Sequence, residues 1–132
     1  MRPDFTSPPN LFPGAPYEYA AIAPREGRLV FTAGACPLDE AGVVVAPGDY
    51  EGQARAAVEN LRTALEAAGS GLGQVLKTTV YVAAQEHVDL LRVWKVVEES
   101  FGESRPPSTL LGVSLLGYTG QLVEIEAVAL TA

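Results

Sequence analysis

The sequence contains one cysteine and one histidine among its 132 residues. Because Cys36 has no second cysteine to join, an internal disulfide and a cysteine-rich zinc site are excluded. Any Ser-His-Asp triad would have to use His87, and no nucleophile-elbow motif accompanies it. We therefore expect no metal, no other cofactor and no triad-type hydrolase.

Basic residues are also scarce, with nine Lys and Arg against sixteen Asp and Glu, which gives a net charge of -7. No basic stripe is present, and phosphate contacts dominate nucleic-acid affinity, so we expect neither a nucleic-acid partner nor binding to an anionic membrane. No apolar run approaches the roughly 20 residues of a membrane span. Residues 1–14 lack the apolar region of a secretory signal, which predicts a cytoplasmic protein.

The length of 132 residues and the apolar content of 48% suit one domain spanning residues 1–132. Five prolines within residues 1–16 predict an extended arm, because proline is excluded from helix interiors and central strands. Residues 17–22 and 28–34 read as two strands separated by a turn. Their spacing predicts a β-hairpin.

Two amphipathic helices are predicted in the middle of the chain, with a β-branched strand at residues 76–82 between them. Asp49 is a candidate N-cap for the first helix, and Gly69 ends it. The second helix is expected to start near Gln85 or Glu86 and to end at Gly102. Its predicted inner face consists of Leu90, Leu91, Trp94, Val97 and Phe101.

Two apolar runs close the chain, residues 106–113 and 122–129, and the turn at 117–120 predicts that they form a strand pair. Alternation along the second run places Glu124 and Glu126 on one face together with Leu122, Val128 and Leu130. This face is either buried against a partner chain, with the carboxylates at a cleft, or half exposed, with both glutamates in solvent.

The predicted order is β-β-α-β-α-β-β, an α+β fold with both helices on one face of one sheet. No predicted element remains to cover the other face. Leaving its three large apolar side chains in water forgoes about 1.5–3 kcal/mol each, which favours self-association into a closed ring.

Motifs spread along the whole chain resemble the RidA (YjgF) family, also described as endoribonuclease L-PSP-like. They are Pro16-Tyr17, Thr32-Ala33-Gly34 with Pro37-Leu38, Gln53 with Asn60-Leu61, Ala68-Gly69, the run 75–82, Phe101-Gly102, Pro106 and the run 123–127. The resemblance implies a chorismate-mutase-like fold with two helices on one mixed sheet. It also implies a homotrimer whose sheets face a central barrel and whose ligand clefts lie between subunits.

Many members of that family hydrolyse enamines and imines to a keto acid and ammonia. The resemblance makes Glu124 the catalytic acid that positions the attacking water. It makes Tyr17 the residue that closes the cleft, and it places the backbone around Gly34, Ala35 and Cys36 in the ligand site.

The sequence departs from the family pattern at three positions. Ser108, which is expected to line the cleft with its hydroxyl group, stands where an arginine grips the substrate carboxylate. Ala35 replaces a small polar residue, and Trp94 replaces an asparagine common in the second helix. Arg105 is a poor substitute because it lies about 10 Å away along an extended chain. We therefore expect a small-molecule hydrolase with weak or altered activity, or a non-catalytic trimeric binder of a small metabolite. Ribonuclease activity is less favoured because the chain is acidic.

Overall fold

Two helices lie on one face of a four-stranded sheet in the computed structural model of this protein, which describes residues 2–132. The helices are α1 (Tyr50–Ala67) and α2 (His87–Phe101), and a short 3-10 helix spans Leu72–Gln74. The strands are β1 (Asp4–Thr6), β2 (Ala20–Ile22), β3 (Arg28–Phe31), β4 (Val75–Val82), β5 (Ser108–Gly112) and β6 (Val123–Thr131). The predicted α+β class is confirmed, with one strand more than expected.

The sheet has the order β3-β6-β4-β5 and is mixed, as predicted. β5 runs parallel to β4 because α2 crosses over between them, while β6 is antiparallel to both of its neighbours. The prediction that the last two strands pair with each other is therefore wrong. The connection after Gly112 carries the chain past β4, so β4 separates β5 from β6.

The predicted hairpin between residues 17–22 and 28–34 is also wrong. β2, which lies in the first of these segments, pairs with β1 in a separate two-stranded ribbon. The expected extended arm contains β1, which occupies the proline-free stretch between Pro3 and Pro8. A stretch of three residues without proline keeps the backbone N–H groups that a strand ladder requires. Sequence spacing favoured the nearer partner for β2, and the structure pairs it with the more distant one.

The helices and the sheet enclose the core. Asp49 caps α1 as predicted, and its Oδ1 accepts a hydrogen bond from the backbone N–H of Gly52 at 3.0 Å. In α2 the buried face includes Val93 and Val97, whereas Leu91 is 64% exposed. The placement of Leu91 on the inner face is wrong because, at about 100° per residue, it lies roughly 160° around the helix from Val93.

On the sheet face opposite the helices, β6 exposes less apolar surface than predicted and β3 exposes more. Leu130 is only 1% exposed and Leu122 packs against the core, so neither is an uncovered side chain. Instead Leu29 and Phe31, which pair with Leu130 and Val128, are 49% and 72% exposed. The apolar surface that needs a cover therefore lies at the β3 edge of this face.

Candidate functional site

A β-bulge lies where the chain leaves β3 and continues along β6. The Thr32 N–H donates to Ala127 O at 3.0 Å, and Ala35 and Ile125 exchange two backbone hydrogen bonds of 2.7 and 3.1 Å. Between these two contacts the segment after β3 advances three residues, from Thr32 to Ala35, while β6 advances only two. This difference defines a one-residue bulge. Bulges redirect side chains locally, and this one contains Gly34.

Gly34 makes room for the side chain of Glu124. A methyl group on Gly34 would lie 2.2 Å from Oε2 of Glu124 and 2.5 Å from its Cδ, far inside contact distance. The glycine is required here by close approach rather than by backbone conformation. Gly34 and Glu124 therefore lie against each other within one chain.

The two carboxylate oxygens of Glu124 have different surroundings. The Cys36 thiol donates to Oε1 at 3.2 Å, and Nε2 of Gln121 donates to the same oxygen at 3.1 Å. Within residues 2–132 no hydrogen bond reaches Oε2. Because the side chain is half buried, this oxygen is the one left to meet a water or a ligand.

Cys36 acts in this arrangement as a protonated donor. Burial, followed by the hydrogen bond to Glu124, raises the pKa of its thiol from 9.0 to about 11. The thiolate is the nucleophilic form of cysteine, so the site disfavours a role in covalent catalysis. The loop is held to α1 because Asn60 Nδ2 donates to the carbonyl oxygens of Cys36 and Leu38, at 2.8 and 3.0 Å.

Gln121 is a site residue that the sequence reasoning missed. It is 3% exposed, its Oε1 accepts from the Tyr118 N–H at 3.2 Å, and its Nε2 also donates to Val123 O at 3.0 Å. Strand alternation assigns Gln121 to the face opposite Glu124. That argument does not apply, however, since β6 begins only at Val123.

Glu126 lies on the same face as Glu124, as alternation predicted, but its carboxylate has a partner. The Tyr81 hydroxyl donates to Glu126, and this bond, ahead of burial, raises the pKa of Tyr81. Among residues 2–132 each of these carboxylates is bonded at one oxygen: Glu126 receives a single donor, from the neighbouring strand, whereas Glu124 receives two, from the bulge loop and from the turn before β6.

Tyr17 and Ser108 form a second group of predicted site residues. The Ser108 Oγ accepts a hydrogen bond from Thr78 Oγ1 at 2.6 Å, which leaves the serine proton available to donate. Tyr17 meets the ring of Tyr19 edge to face, with centroids 5.6 Å apart. Together with Trp94, Tyr17 and Ser108 border a groove of about 490 Å³.

A single chain does not bring the two groups together. Ser108 is on β5 and Glu124 is on β6, with β4 between them, so they lie on strands about 10 Å apart. Ser108 also shares the helix-facing side with Thr78, whereas Glu124 faces the opposite side. The guanidinium of Arg105, which the sequence predicts to be a poor substitute for the missing arginine, donates to Ala15 O.

Among residues 2–132, no group of three or more His, Cys, Asp or Glu side chains is arranged to hold a metal ion. No helix formed by these residues has both the length and the apolar character needed to cross a membrane.

Comparison with known proteins places this chain in a family. The sequence profile of the family described as endoribonuclease L-PSP matches residues 10–131. A RutC family protein of Pyrococcus horikoshii, PH0854, is 38% identical over 117 residues, covering 89% of this chain and 88% of that protein. The chain therefore belongs to the RidA (YjgF) family.

Members of known activity or ligand are also similar to this chain. The 2-iminobutanoate/2-iminopropanoate deaminase of Salmonella typhimurium is 35% identical over 106 residues, covering 78% of this chain and 80% of that enzyme. The crystal structure of E. coli TdcF with bound serine superposes with a TM-score of 0.69 at 28% identity. It covers 89% of this chain and 96% of TdcF.

Proposed function

We propose that this protein hydrolyses a carbon–nitrogen double bond in a small molecule, with Glu124 as the catalytic acid–base group. The observation that carries the proposal is the carboxylate of Glu124, which is half buried, held at Oε1 and unpartnered at Oε2. The deaminase among its relatives supports an imine or enamine as the substrate.

The proposed chemistry needs one water and no cofactor. Oε2 of Glu124 accepts a proton from the water as the water oxygen bonds to the carbon of the protonated imine, which gives a neutral carbinolamine. The same carboxyl group then returns the proton to the nitrogen. As the carbon–nitrogen bond breaks, the carboxylate takes the proton of the carbinolamine hydroxyl group, and a carbonyl compound and ammonia leave. That proton is then released to solvent.

We infer that the complete site forms between neighbouring copies of the chain in a homotrimer. Tyr17 and Ser108 lie at the β5 edge of the sheet and Glu124 lies two strands away on β6, so a cleft between two subunits can combine them. The exposed Leu29 and Phe31 supply an apolar surface for such an assembly. Burying two side chains of this size stabilises association by about 1.5–3 kcal/mol each.

We expect the ligand either to lack a carboxylate or to carry one that this site binds only weakly. Ser108 offers a neutral hydroxyl, and the groove beside it is completed by uncharged side chains such as Leu91, Trp94 and Leu110. Losing a paired guanidinium from a buried carboxylate site costs about 2–5 kcal/mol. If that cost falls on the transition state, carboxylate-bearing imines react several hundredfold to several thousandfold more slowly.

The test is keto-acid release from 2-iminobutanoate, measured beside carbonyl release from an uncharged imine of similar size. We expect slow turnover of 2-iminobutanoate, faster turnover of the neutral imine, and loss of both in Glu124→Gln. Rates on 2-iminobutanoate equal to those of arginine-containing relatives would overturn the assignment of Ser108.

A non-catalytic binder of a small metabolite is the second candidate, and the same substitution of arginine by Ser108 favours it. It predicts saturable binding of a small carbonyl or amide compound with no turnover of any imine. Ribonuclease activity is disfavoured by the net charge of -7.

A further inference from the structure

We infer that Gln121 and Cys36 are positioning residues that fix one oxygen of Glu124 and thereby select the other as the reactive oxygen. The inference rests on the proposed function for the role of Glu124. The geometry of the three side chains stands independently of it, since both donors meet Oε1 at 3.1 and 3.2 Å.

The Gln121 amide can adopt only one orientation. Its Oε1 accepts the Tyr118 N–H, and its Nε2 lies between two acceptors, Val123 O and Glu124 Oε1. A flipped amide would place an oxygen against two oxygens and an NH₂ group against an N–H donor. Because the residue is also buried, its Nε2 is a fixed donor.

Cys36 approaches Oε1 from a loop that is anchored on both sides. Ala35 is bonded through its backbone to Ile125, and Asn60 holds the Cys36 and Leu38 carbonyl oxygens. The thiol keeps its proton at neutral pH, since burial raises its pKa, so it remains a donor under working conditions. The two donors therefore come from separate elements, the bulge loop and the turn before β6.

Fixing one oxygen matters because the terminal torsion of a glutamate is soft. The carboxylate of an unrestrained side chain rotates over a broad range, so neither oxygen would be aimed. With Oε1 held, Oε2 stays against Gly34 and presents one acceptor in a defined direction. A misplacement of about 1 Å in such a group lowers rates on the order of a hundredfold.

The experiment compares Gln121→Met with the matched control Gln53→Met. Gln53 is also fully buried and makes three hydrogen bonds, to Ala46 O, Gly120 O and the Leu122 N–H, but none of these reaches Glu124. Two quantities are measured for each: turnover of the imine, and the rate of Cys36 alkylation by iodoacetamide between pH 8 and 12.5.

We expect Gln121→Met to lower kcat about tenfold or more with little change in KM, because a bond to a charged group is lost. The midpoint of Cys36 alkylation should move to higher pH, since the Gln121 amide lowers the pKa of the thiol. Gln53→Met should change both quantities less than Gln121→Met does, because beside Gln121 it bonds only the backbone of Gly120 and Leu122, and it donates nothing to Glu124. Where Gln121→Met does not fold, Gln121→Asn serves instead, because its shorter side chain does not reach Oε1.

Two results would overturn the inference: equal effects in the Gln121 and Gln53 variants, or an unchanged alkylation midpoint in Gln121→Met. Cys36→Ser, which keeps an O–H donor, should retain more turnover than Cys36→Ala, and the reverse order would also contradict it. If the wild-type chain turns over no imine, the proposed function fails. The alkylation midpoints still decide whether the two donors hold Glu124.

Discussion

Replacing Gly34 with alanine perturbs the candidate site through a single added methyl group. The methyl carbon would lie 2.2 Å from Oε2 of Glu124, and ordinary contacts begin at 3.4 Å, so the carboxylate has to move by about 1.2 Å. Such a shift breaks the bonds from Cys36 and Gln121, which are already 3.2 and 3.1 Å long. The backbone at Gly34 does not itself require glycine.

The effect of Gly34→Ala can be measured as a change in the alkylation rate of the Cys36 thiol. At pH 8 a pKa of about 11 leaves about 0.1% thiolate, and the ordinary value of 9.0 gives about 9%. A thiolate whose pKa is 9.0 is intrinsically about eightfold less nucleophilic than one whose pKa is about 11. Alkylation of Gly34→Ala should therefore be faster by several-fold and at most about tenfold, since burial of Cys36 persists.

Iodoacetamide labelling followed by mass spectrometry gives the rate, and Cys36 is the only cysteine that can react. Gly73→Ala is the matched control, because a methyl group there meets nothing within 4 Å. Imine turnover should fall about a hundredfold in Gly34→Ala and remain unchanged in Gly73→Ala. Wild-type labelling and turnover in Gly34→Ala would refute the close packing of Gly34 on Glu124.

Three further predictions concern the rest of the molecule. Ser108→Arg should increase hydrolysis of 2-iminobutanoate by at least tenfold while leaving the neutral imine unaffected; equal changes on both substrates would contradict the role given to this position. Glu126→Gln should lower the pKa of Tyr81, since the bond to Glu126 raises it, so phenolate absorbance appears at lower pH in an ultraviolet titration; an unchanged titration would show that the bond is absent in solution. Sedimentation equilibrium should give three times 13.9 kDa, and a monomer at micromolar concentration would exclude the proposed assembly.

Local signals in the sequence predicted most helices and strands of this fold, but not all of the pairing. The cap at Asp49 and the 3- and 4-residue spacing of apolar side chains are local features, so α1 was found correctly. The partner of β2 depends on how the proline-rich segment folds back, and short-range spacing does not encode that path. Pairing of β5 with β4 likewise follows from the crossover of α2 rather than from alternation.

The candidate site was predictable where side chains follow strand alternation. Glu124 and Glu126 share a face as alternation requires, yet alternation does not distinguish them. The distinction comes from neighbours that approach in three dimensions, Tyr81 at one carboxylate and the bulge at the other. Gln121 was missed because it contacts Glu124 from a turn, where period-two reasoning fails.

The most direct test of the account is the matched pair Glu124→Gln and Glu126→Gln, assayed for imine turnover and thermal unfolding. Both changes keep the side-chain size and remove one charge. We predict that Glu124→Gln loses turnover while its melting temperature changes little, and that Glu126→Gln keeps turnover. Full turnover in Glu124→Gln together with its loss in Glu126→Gln would contradict the assignment of Glu124 as the functional centre.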